Sequence, residues 1–214
     1  MMALIRAAGR NALRTALILL VFALIATALL AYTYTRTAPA IERSQQAKTL
    51  ALLTQVLPPS HYDNDLLASR LTRDPDELLG TRLPSSIWVA RRGGEFAGVV
   101  MEAVAPDGYS GDISLLIGIT ADGTITGVRV TSHRETPGLG DYIERNKSDW
   151  IEQFTGKSLV SPAERDWAVQ KDGGVFDARV SATITARAVV RAVQRALVFY
   201  AQHRADWAAP EPPA

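Results

Sequence analysis

The chain of 214 residues contains no cysteine. This absence excludes disulfides, zinc–thiolate sites, iron–sulfur clusters and cysteine-linked haem. The three histidines, His61, His133 and His203, lie far apart and lack the i,i+4 spacing of a helical metal site. The sequence therefore predicts no metal centre, and any redox role would require an organic cofactor.

An excess of charge of one sign is also missing. Lysine and arginine total 23, aspartate and glutamate total 22, and the formal net charge is +1. A chain balanced in this way offers no field that would attract a phosphate backbone. We expect no nucleic acid among its partners.

Acidic residues are absent before Glu42, and an apolar run fills most of residues 15–34. As a helix, the run from Thr15 to Tyr32 would extend about 25 Å, and flanking side chains can supply the rest of a bilayer core of roughly 30 Å. We predict one transmembrane helix over residues 15–34. A cleaved signal peptide, with Ala26-Thr27-Ala28 as its cleavage site, is the alternative.

Arginines set the expected orientation of this helix. Arg6, Arg10 and Arg14 precede the span and outnumber the charges that follow it directly. By the positive-inside rule, residues 1–14 should lie in the cytoplasm and the rest of the chain outside. For a bacterial inner membrane, the outside is the periplasm.

Three further parts follow the span. We predict a linker helix over residues 35–60, stopped by Pro58-Pro59, then a globular domain over 61–205 and a proline-rich flexible tail over 206–214.

The globular part contains two hairpin patterns. Residues 87–90 and 96–104 flank Gly93-Gly94, and residues 113–120 and 124–131 flank Asp122-Gly123. Strands followed by helices without β-α-β alternation predict an α+β fold, an antiparallel sheet with packed helices. Shorter patterns predict a capped helix at 74–80, a helix at 147–154, and a strand at 167–170.

A short segment before the last helical pattern is the main candidate site. It reads Asp177-Ala178-Arg179-Val180-Ser181-Ala182-Thr183-Ile184-Thr185, and an amphipathic helical run follows over 186–202. Thr183 would thus present a hydroxyl beside a helix N-terminus, which favours phosphate because its first N–H groups lack partners. Arg187 is near enough to help neutralise that phosphate. The structural alternative makes Thr185 an N-cap and Thr183 a turn residue.

A second candidate segment is a tight loop at a strand end. Its residues are Glu135, Thr136, Pro137, Gly138, Leu139 and Gly140. Proline and two glycines allow the backbone to approach a ligand closely.

These two segments, taken in order with Asp107-Gly108-Tyr109-Ser110-Gly111 and Lys171-Asp172-Gly173-Gly174, carry a resemblance. From about residue 85 to residue 200 the chain closely resembles the G subunit of the Rnf electron-transport complex. The resemblance implies a periplasmic FMN-binding domain, an electron-transfer role beside other membrane subunits, and FMN joined through its phosphate to Thr183 by a separate flavin transferase. Asp177 belongs to the implied attachment motif. Ser181, Ala182, Ile184, Thr185 and the loop residues 135–140 would contact the cofactor.

One departure and two alternatives accompany the resemblance. Ser181 stands where the family usually has glycine, which would add strain only if that position requires a positive φ. The same attachment occurs in the C subunit of the sodium-translocating NADH:quinone reductase, the nearest alternative. A membrane-anchored sensor or binding module without redox cycling is the other.

Overall fold

The computed structural model describes residues 2–208. The chain divides into two units, one up to Lys48 and one from Thr49 onward. Helix α1, Met2–Val56, contributes to both. The elements of the second unit are β1 (Arg70–Arg73), β2 (Ser85–Arg92), β3 (Glu95–Gly108), β4 (Gly111–Thr120), β5 (Ile125–Ser132) and α2 (Thr183–Ala208).

The first unit is helical throughout its described residues. From Leu13 onward its large apolar side chains are exposed, and α1 contains a stretch long and apolar enough to cross a membrane. At the end of that stretch, the Arg36 guanidinium lies 6.0 Å from the ring centroid of Tyr32, an arrangement suited to a membrane interface. Separate transmembrane and linker helices were predicted, but α1 continues without a break. Pro39 removes one backbone donor, and its neighbours Ala38 and Ala40 are strong helix formers.

The second unit is built on a five-stranded antiparallel sheet in which every strand pairs with its neighbour in sequence. Both predicted hairpins, β2–β3 and β4–β5, are confirmed. The β3–β4 hairpin closes tightly around Tyr109 and Ser110, and the short edge strand β1 was not predicted. The predicted α+β class is therefore correct.

Helix α2 packs on one face of this sheet. The helix is amphipathic, as predicted, and the residues of its apolar face are buried: Val189, Val193, Ala196, Leu197 and Tyr200. The Tyr200 hydroxyl donates to the carbonyls of Thr120 and Ala121, 3.0 Å away, at the β4–β5 turn. Burial raises the pKa of Tyr200 to about 12. Helix α2 is thus fixed to the sheet by apolar packing and by a phenol that stays neutral.

The last turns of α1, from residue 49 onward, cover part of the opposite face. Leu53 and Val56 are fully buried there. The paired glycines Gly118 and Gly127 make room for them: a Cβ on Gly118 would lie 2.3 Å from the Val56 carbonyl oxygen. Thr126 donates its hydroxyl to that same oxygen.

Three local predictions were wrong or incomplete. Residues 74–80 form a turn rather than a helix. The side chain of Asp76, not that of Asp74, accepts a hydrogen bond from the Leu78 N–H, and the Thr81 N–H closes the turn by donating to the Asp76 carbonyl. The helix predicted at 147–154 is a 3-10 helix, Asp149–Phe154. Of the strand predicted at 167–170, only a bridge between Val169 and Phe176 forms.

Residues 206–208 were predicted to belong to a flexible tail, but they are helical. These residues belong to α2, because Trp207 is buried and stacks on Tyr200. The rest of the predicted tail, 209–214, lies outside the described residues.

Candidate functional site

A pocket of about 460 Å³ opens where α2 begins. It brings together the two segments that the sequence singled out, the loop after β5 and the start of α2. Pro137, Gly138 and Asp177 do not line it. The lining residues are Tyr109, Glu135, Thr136, Leu139, Gly140, Lys171, Val180, Ser181, Ala182, Thr183, Ile184, Thr185 and Arg187.

Thr183 is the first residue of α2 and follows directly on a short 3-10 turn, Val180–Ala182. Its residue exposure is 9 %. The Thr183 hydroxyl lies 3.4 Å from the carbonyl oxygens of Arg179 and Val180, a distance typical of weak hydrogen bonds. The hydroxyl is therefore lightly held, at a helix end where N–H groups are unpaired.

Thr185 is not an N-cap, as the structural alternative proposed. Since α2 begins two residues earlier, Thr185 lies in its first turn, fully buried. Its hydroxyl donates to Glu135 Oε2 at 2.6 Å, and the Ser110 N–H donates to Glu135 Oε1 at 3.0 Å. One buried carboxylate therefore joins the loop after β5, the β3–β4 turn and α2.

The loop at 135–140 is closed by its own backbone. The N–H groups of Leu139 and Gly140 donate to the Thr136 carbonyl, and the Gly138 N–H donates to Asp141 Oδ1 at 2.8 Å. Gly138 has φ +79°, a conformation that favours glycine. The Leu139 side chain is left about half exposed, at 48 %, on the pocket wall.

Two cations line the pocket near Thr183, Lys171 and Arg187. Arg187 is held by a two-point ion pair with Asp172, with N···O distances of 2.5 and 2.6 Å. The Arg187 hydrogen bonds hold the pKa of Asp172 below its usual value. The Arg187 guanidinium is thus fixed by Asp172 on the wall of the pocket.

Asp177 lies beside the pocket rather than in it. Its backbone N–H donates to Gln153 Oε1 at 2.8 Å, and its carbonyl accepts from Trp150 Nε1 at 2.7 Å. The carboxylate accepts only from the neighbouring Ala178 N–H among the described contacts, and the residue is exposed. An exposed carboxylate in this position is available to a second protein.

The departure at Ser181 causes no backbone strain. Ser181 lies in the 3-10 turn before α2, and among residues 2–208 only glycines have positive φ. The residue is exposed on the pocket wall. The position therefore does not require glycine.

Sequence reasoning missed two residues of the pocket. Tyr109 and Lys171 both belong to motifs that were noted, yet neither was assigned to the site. Tyr109 is 68 % exposed at the tip of the β3–β4 hairpin. The available signal was a large aromatic side chain between two glycines, at the tip of a hairpin. Folding alone does not require such a side chain to be exposed there, so its position favours a contact with a ligand.

Together, the fold and the pocket define a class of protein: a ligand-binding α+β domain that follows a membrane-anchoring helix. Comparison with known families gives a match for the α+β domain and another for the N-terminal helix. Residues 108–198 match the FMN-binding domain, and residues 1–56 match the RnfG N-terminal region.

Full-length relatives identify the family. The chain is 47% identical to the G subunit of the ion-translocating oxidoreductase complex of Pseudomonas aeruginosa PAO1, over 96% of both chains. It is 44% identical to the corresponding protein of Aliivibrio fischeri MJ11, over 90% of this chain and 92% of the relative. This chain belongs to the family of G subunits of the ion-translocating oxidoreductase complex. Among solved structures, Shewanella oneidensis NqrC is 22% identical, with a TM-score of 0.46 over 68% of this chain and 74% of that one.

Proposed function

We propose that this chain is the electron-transfer G subunit of an Rnf-type ion-translocating oxidoreductase complex and carries FMN esterified to Thr183. Family membership supports the role in the complex. The pocket that places Thr183 against the loop at 135–140 is the observation that carries the attachment.

The chemistry of the pocket fits FMN at both ends. Beside Thr183, the α2 N-terminus, Lys171 and Arg187 provide positive potential for a phosphate. On the pocket wall, exposed apolar side chains offer contacts for a flat ring system. These side chains are Tyr109, Leu139, Val180 and Ile184.

The residues of the chain hold and orient the cofactor. When bound, FMN supplies reversible electron transfer, which no side chain of this cysteine-free protein provides. An ester at Thr183 keeps the cofactor bound regardless of its affinity, which matters in a compartment that does not make flavin. Glu135 fixes the two pocket walls relative to each other. The protein then acts as a carrier between partners and not as an enzyme with its own substrate.

We propose a bacterial inner-membrane location with the amino end in the cytoplasm. The arginines before the apolar stretch of α1 support this orientation. The FMN-binding domain would then face the periplasm, where a flavin transferase attaches the cofactor. The described residues place no acid, histidine or thiol against the Thr183 hydroxyl, so a separate enzyme must activate it.

The C subunit of the sodium-translocating NADH:quinone reductase was the nearest alternative. The identity to Rnf-type relatives over nearly the whole chain favours the Rnf family instead. A sensor without redox cycling is the remaining alternative, and it is tested by asking whether the flavin is reduced within the assembled complex.

Co-expression with a flavin transferase tests the attachment. Membranes are run on a denaturing gel and viewed under ultraviolet light. Wild type should give a fluorescent band, and Thr183→Val should abolish it while leaving the pocket shape intact. Ser181→Ala is the matched control, because it removes the other hydroxyl of the same turn and should keep the band. Fluorescence that persists in Thr183→Val would reassign the site.

A further inference from the structure

The buried state of Thr183 raises a problem of access. Ester formation requires the Thr183 oxygen to attack the flavin-side phosphorus of a flavin dinucleotide. The phosphoanhydride bond breaks, and the nucleoside monophosphate leaves with the bonding electron pair. The hydroxyl proton must pass to a base on the transferase, since the described neighbours of the hydroxyl are two backbone carbonyls. The oxygen, the phosphorus and the leaving group must lie roughly in line.

The closed structure does not offer that geometry. Thr183 is 9 % exposed, and its hydroxyl faces the carbonyls of the turn that precedes α2. The pocket lets a flavin approach Thr183, but the hydroxyl faces the carbonyls of the turn, so a base on the transferase reaches this oxygen only when the turn moves away. The segment that must move is residues 177–182, here called the latch segment.

The latch segment is attached in a way that permits such movement. Before it, Phe176 is buried and hydrogen-bonded to the backbone of Ala168; after it, α2 is packed on the sheet. Between these fixed points only Ala182 is buried, and most of the segment is exposed. Opening it would therefore expose little apolar surface.

Three side chains hold the latch segment closed, and all come from residues 142–153. Trp150 Nε1 donates to the Asp177 carbonyl, Gln153 Oε1 accepts from the Asp177 N–H, and the Tyr142 hydroxyl lies 3.4 Å from the Ala182 carbonyl. The Arg179 guanidinium also stacks over the Tyr142 ring, 4.9 Å from its centroid. A few side-chain bonds, with no strand pairing, keep the segment in place.

We infer that residues 177–182 form a latch that opens to expose Thr183 to the flavin transferase and closes over the pocket once the ester has formed. This inference rests on the proposed attachment at Thr183. The latch is held closed by a catch made of Trp150, Gln153 and Tyr142. The contacts of these side chains set the fraction of folded chains in which Thr183 can be modified. Flavin loading is therefore limited by a local opening of the folded domain.

The test measures the rate of flavin attachment to the folded, full-length apoprotein in detergent, with transferase below saturation. Gln153→Met removes one bond to the latch segment, the bond from the Asp177 N–H, together with the bond from Gln153 Nε2 to the Trp150 carbonyl, and it keeps the length of the side chain. Loss of one such bond should raise the open fraction, and with it the attachment rate, by about fivefold. Tyr142→Phe keeps the ring, removes only the hydroxyl contact to Ala182, and should give a smaller increase.

A matched control and a second readout separate a latch from general loosening. Gln194→Met makes the same change on α2, where the glutamine has no described side-chain hydrogen bond, and should leave the rate unchanged. Hydrogen exchange of the amides at 178–183 should rise in Gln153→Met by the same factor as the attachment rate, while exchange in β3 and β4 stays at the wild-type level.

The outcomes distinguish the latch from the attachment itself. An attachment rate in Gln153→Met and Tyr142→Phe that equals or falls below wild type would overturn the latch and leave Thr183 as the site. Wild type that takes up no flavin, or Thr183→Val that still does, would overturn the attachment and the latch together.

Discussion

Glu135 is 4 % exposed, and its carboxylate accepts from the Thr185 hydroxyl and the Ser110 N–H. It is also packed against Gly140, where a Cβ would lie 2.7 Å from Glu135 Oε2. A longer side chain would not fit against Gly140, and an uncharged one would not replace the carboxylate as acceptor for both hydrogen bonds. Glu135 therefore shapes the pocket whether or not it contacts the cofactor.

We predict that Glu135→Gln lowers the free energy of unfolding by about 1–3 kcal/mol, because the Ser110 N–H and the Thr185 hydroxyl lose the charged acceptor that they share. Urea unfolding of the detergent-solubilised chain, followed by tryptophan fluorescence, measures the change. Glu164→Gln is the control, since Glu164 is exposed and should shift stability by less than about 0.5 kcal/mol. Equal stabilities for the two variants would contradict the role given to Glu135.

The Asp172–Arg187 ion pair makes the stability of the fold depend on pH in the acid range. Because the pKa of Asp172 is lower in the folded chain than its ordinary 3.8, the pair stabilises the fold above that value. The contribution is lost as pH falls through the folded pKa. Asp172→Asn should therefore melt at a lower temperature than wild type at pH 7, and the difference should shrink as pH falls below 3.8. A difference that stays constant over this fall in pH would show that the ion pair does not contribute.

For single residues, the sequence predicted where a side chain lies in the fold better than it predicted which residue that side chain bonds. The placement of Thr183 at a helix start follows from local small and polar residues followed by an amphipathic pattern. The bond from Thr185 to Glu135 joins residues fifty apart, and no local pattern indicates it. Arg187 was predicted as a phosphate ligand, but its partner Asp172 was not.

Among the elements, the end of α1 is the least expected part of the second unit. Residues 49–56 lie against the sheet because β4 and β5 carry glycine where they approach Val56. Without a Cβ on these strands, the helix backbone comes close enough for Thr126 to bond the Val56 carbonyl. The contact extends the core to the second face of the sheet.

Two glycine variants give a graded test of this contact. Gly118→Ala places a Cβ 2.3 Å from the Val56 carbonyl oxygen and should cost about 1–3 kcal/mol. Gly127→Ala meets Val56 Cα at 3.1 Å, so small shifts can relieve the contact and the cost should be smaller. Urea unfolding of both full-length variants measures the order. If Gly127→Ala is the more damaging, the close approach of α1 at Gly118 is wrong.

The longer strands and α2 were predictable, and most of the segment between the loop at 135–140 and α2 was not. Gly93-Gly94 and Asp122-Gly123 mark the hairpins with turn chemistry, and α2 has a clear helical period. The intervening residues form short 3-10 helices, which have too few residues to show a period. The mistaken strand at 167–170 and the missed catch of the latch both fall there.

At the scale of the whole molecule, one chain combines a helix long and apolar enough to cross a membrane with a pocket lined by Thr183. This helix was predicted from hydropathy and charge, and the two pocket segments from their residue types. Their meeting in one pocket required the fold, since the sheet and α2 bring together residues 135–140 and 181–187. Tyr109 and Lys171 joined the pocket through the same folding and were not predicted.

The central claim is that FMN is esterified to Thr183, and intact-mass measurement of the chain extracted from native membranes tests it most directly. The account predicts a single population heavier than the bare chain by one FMN less one water, with fragmentation locating the added mass on Thr183. An unmodified mass accompanied by flavin released on denaturation, or an adduct on any other residue, would contradict it.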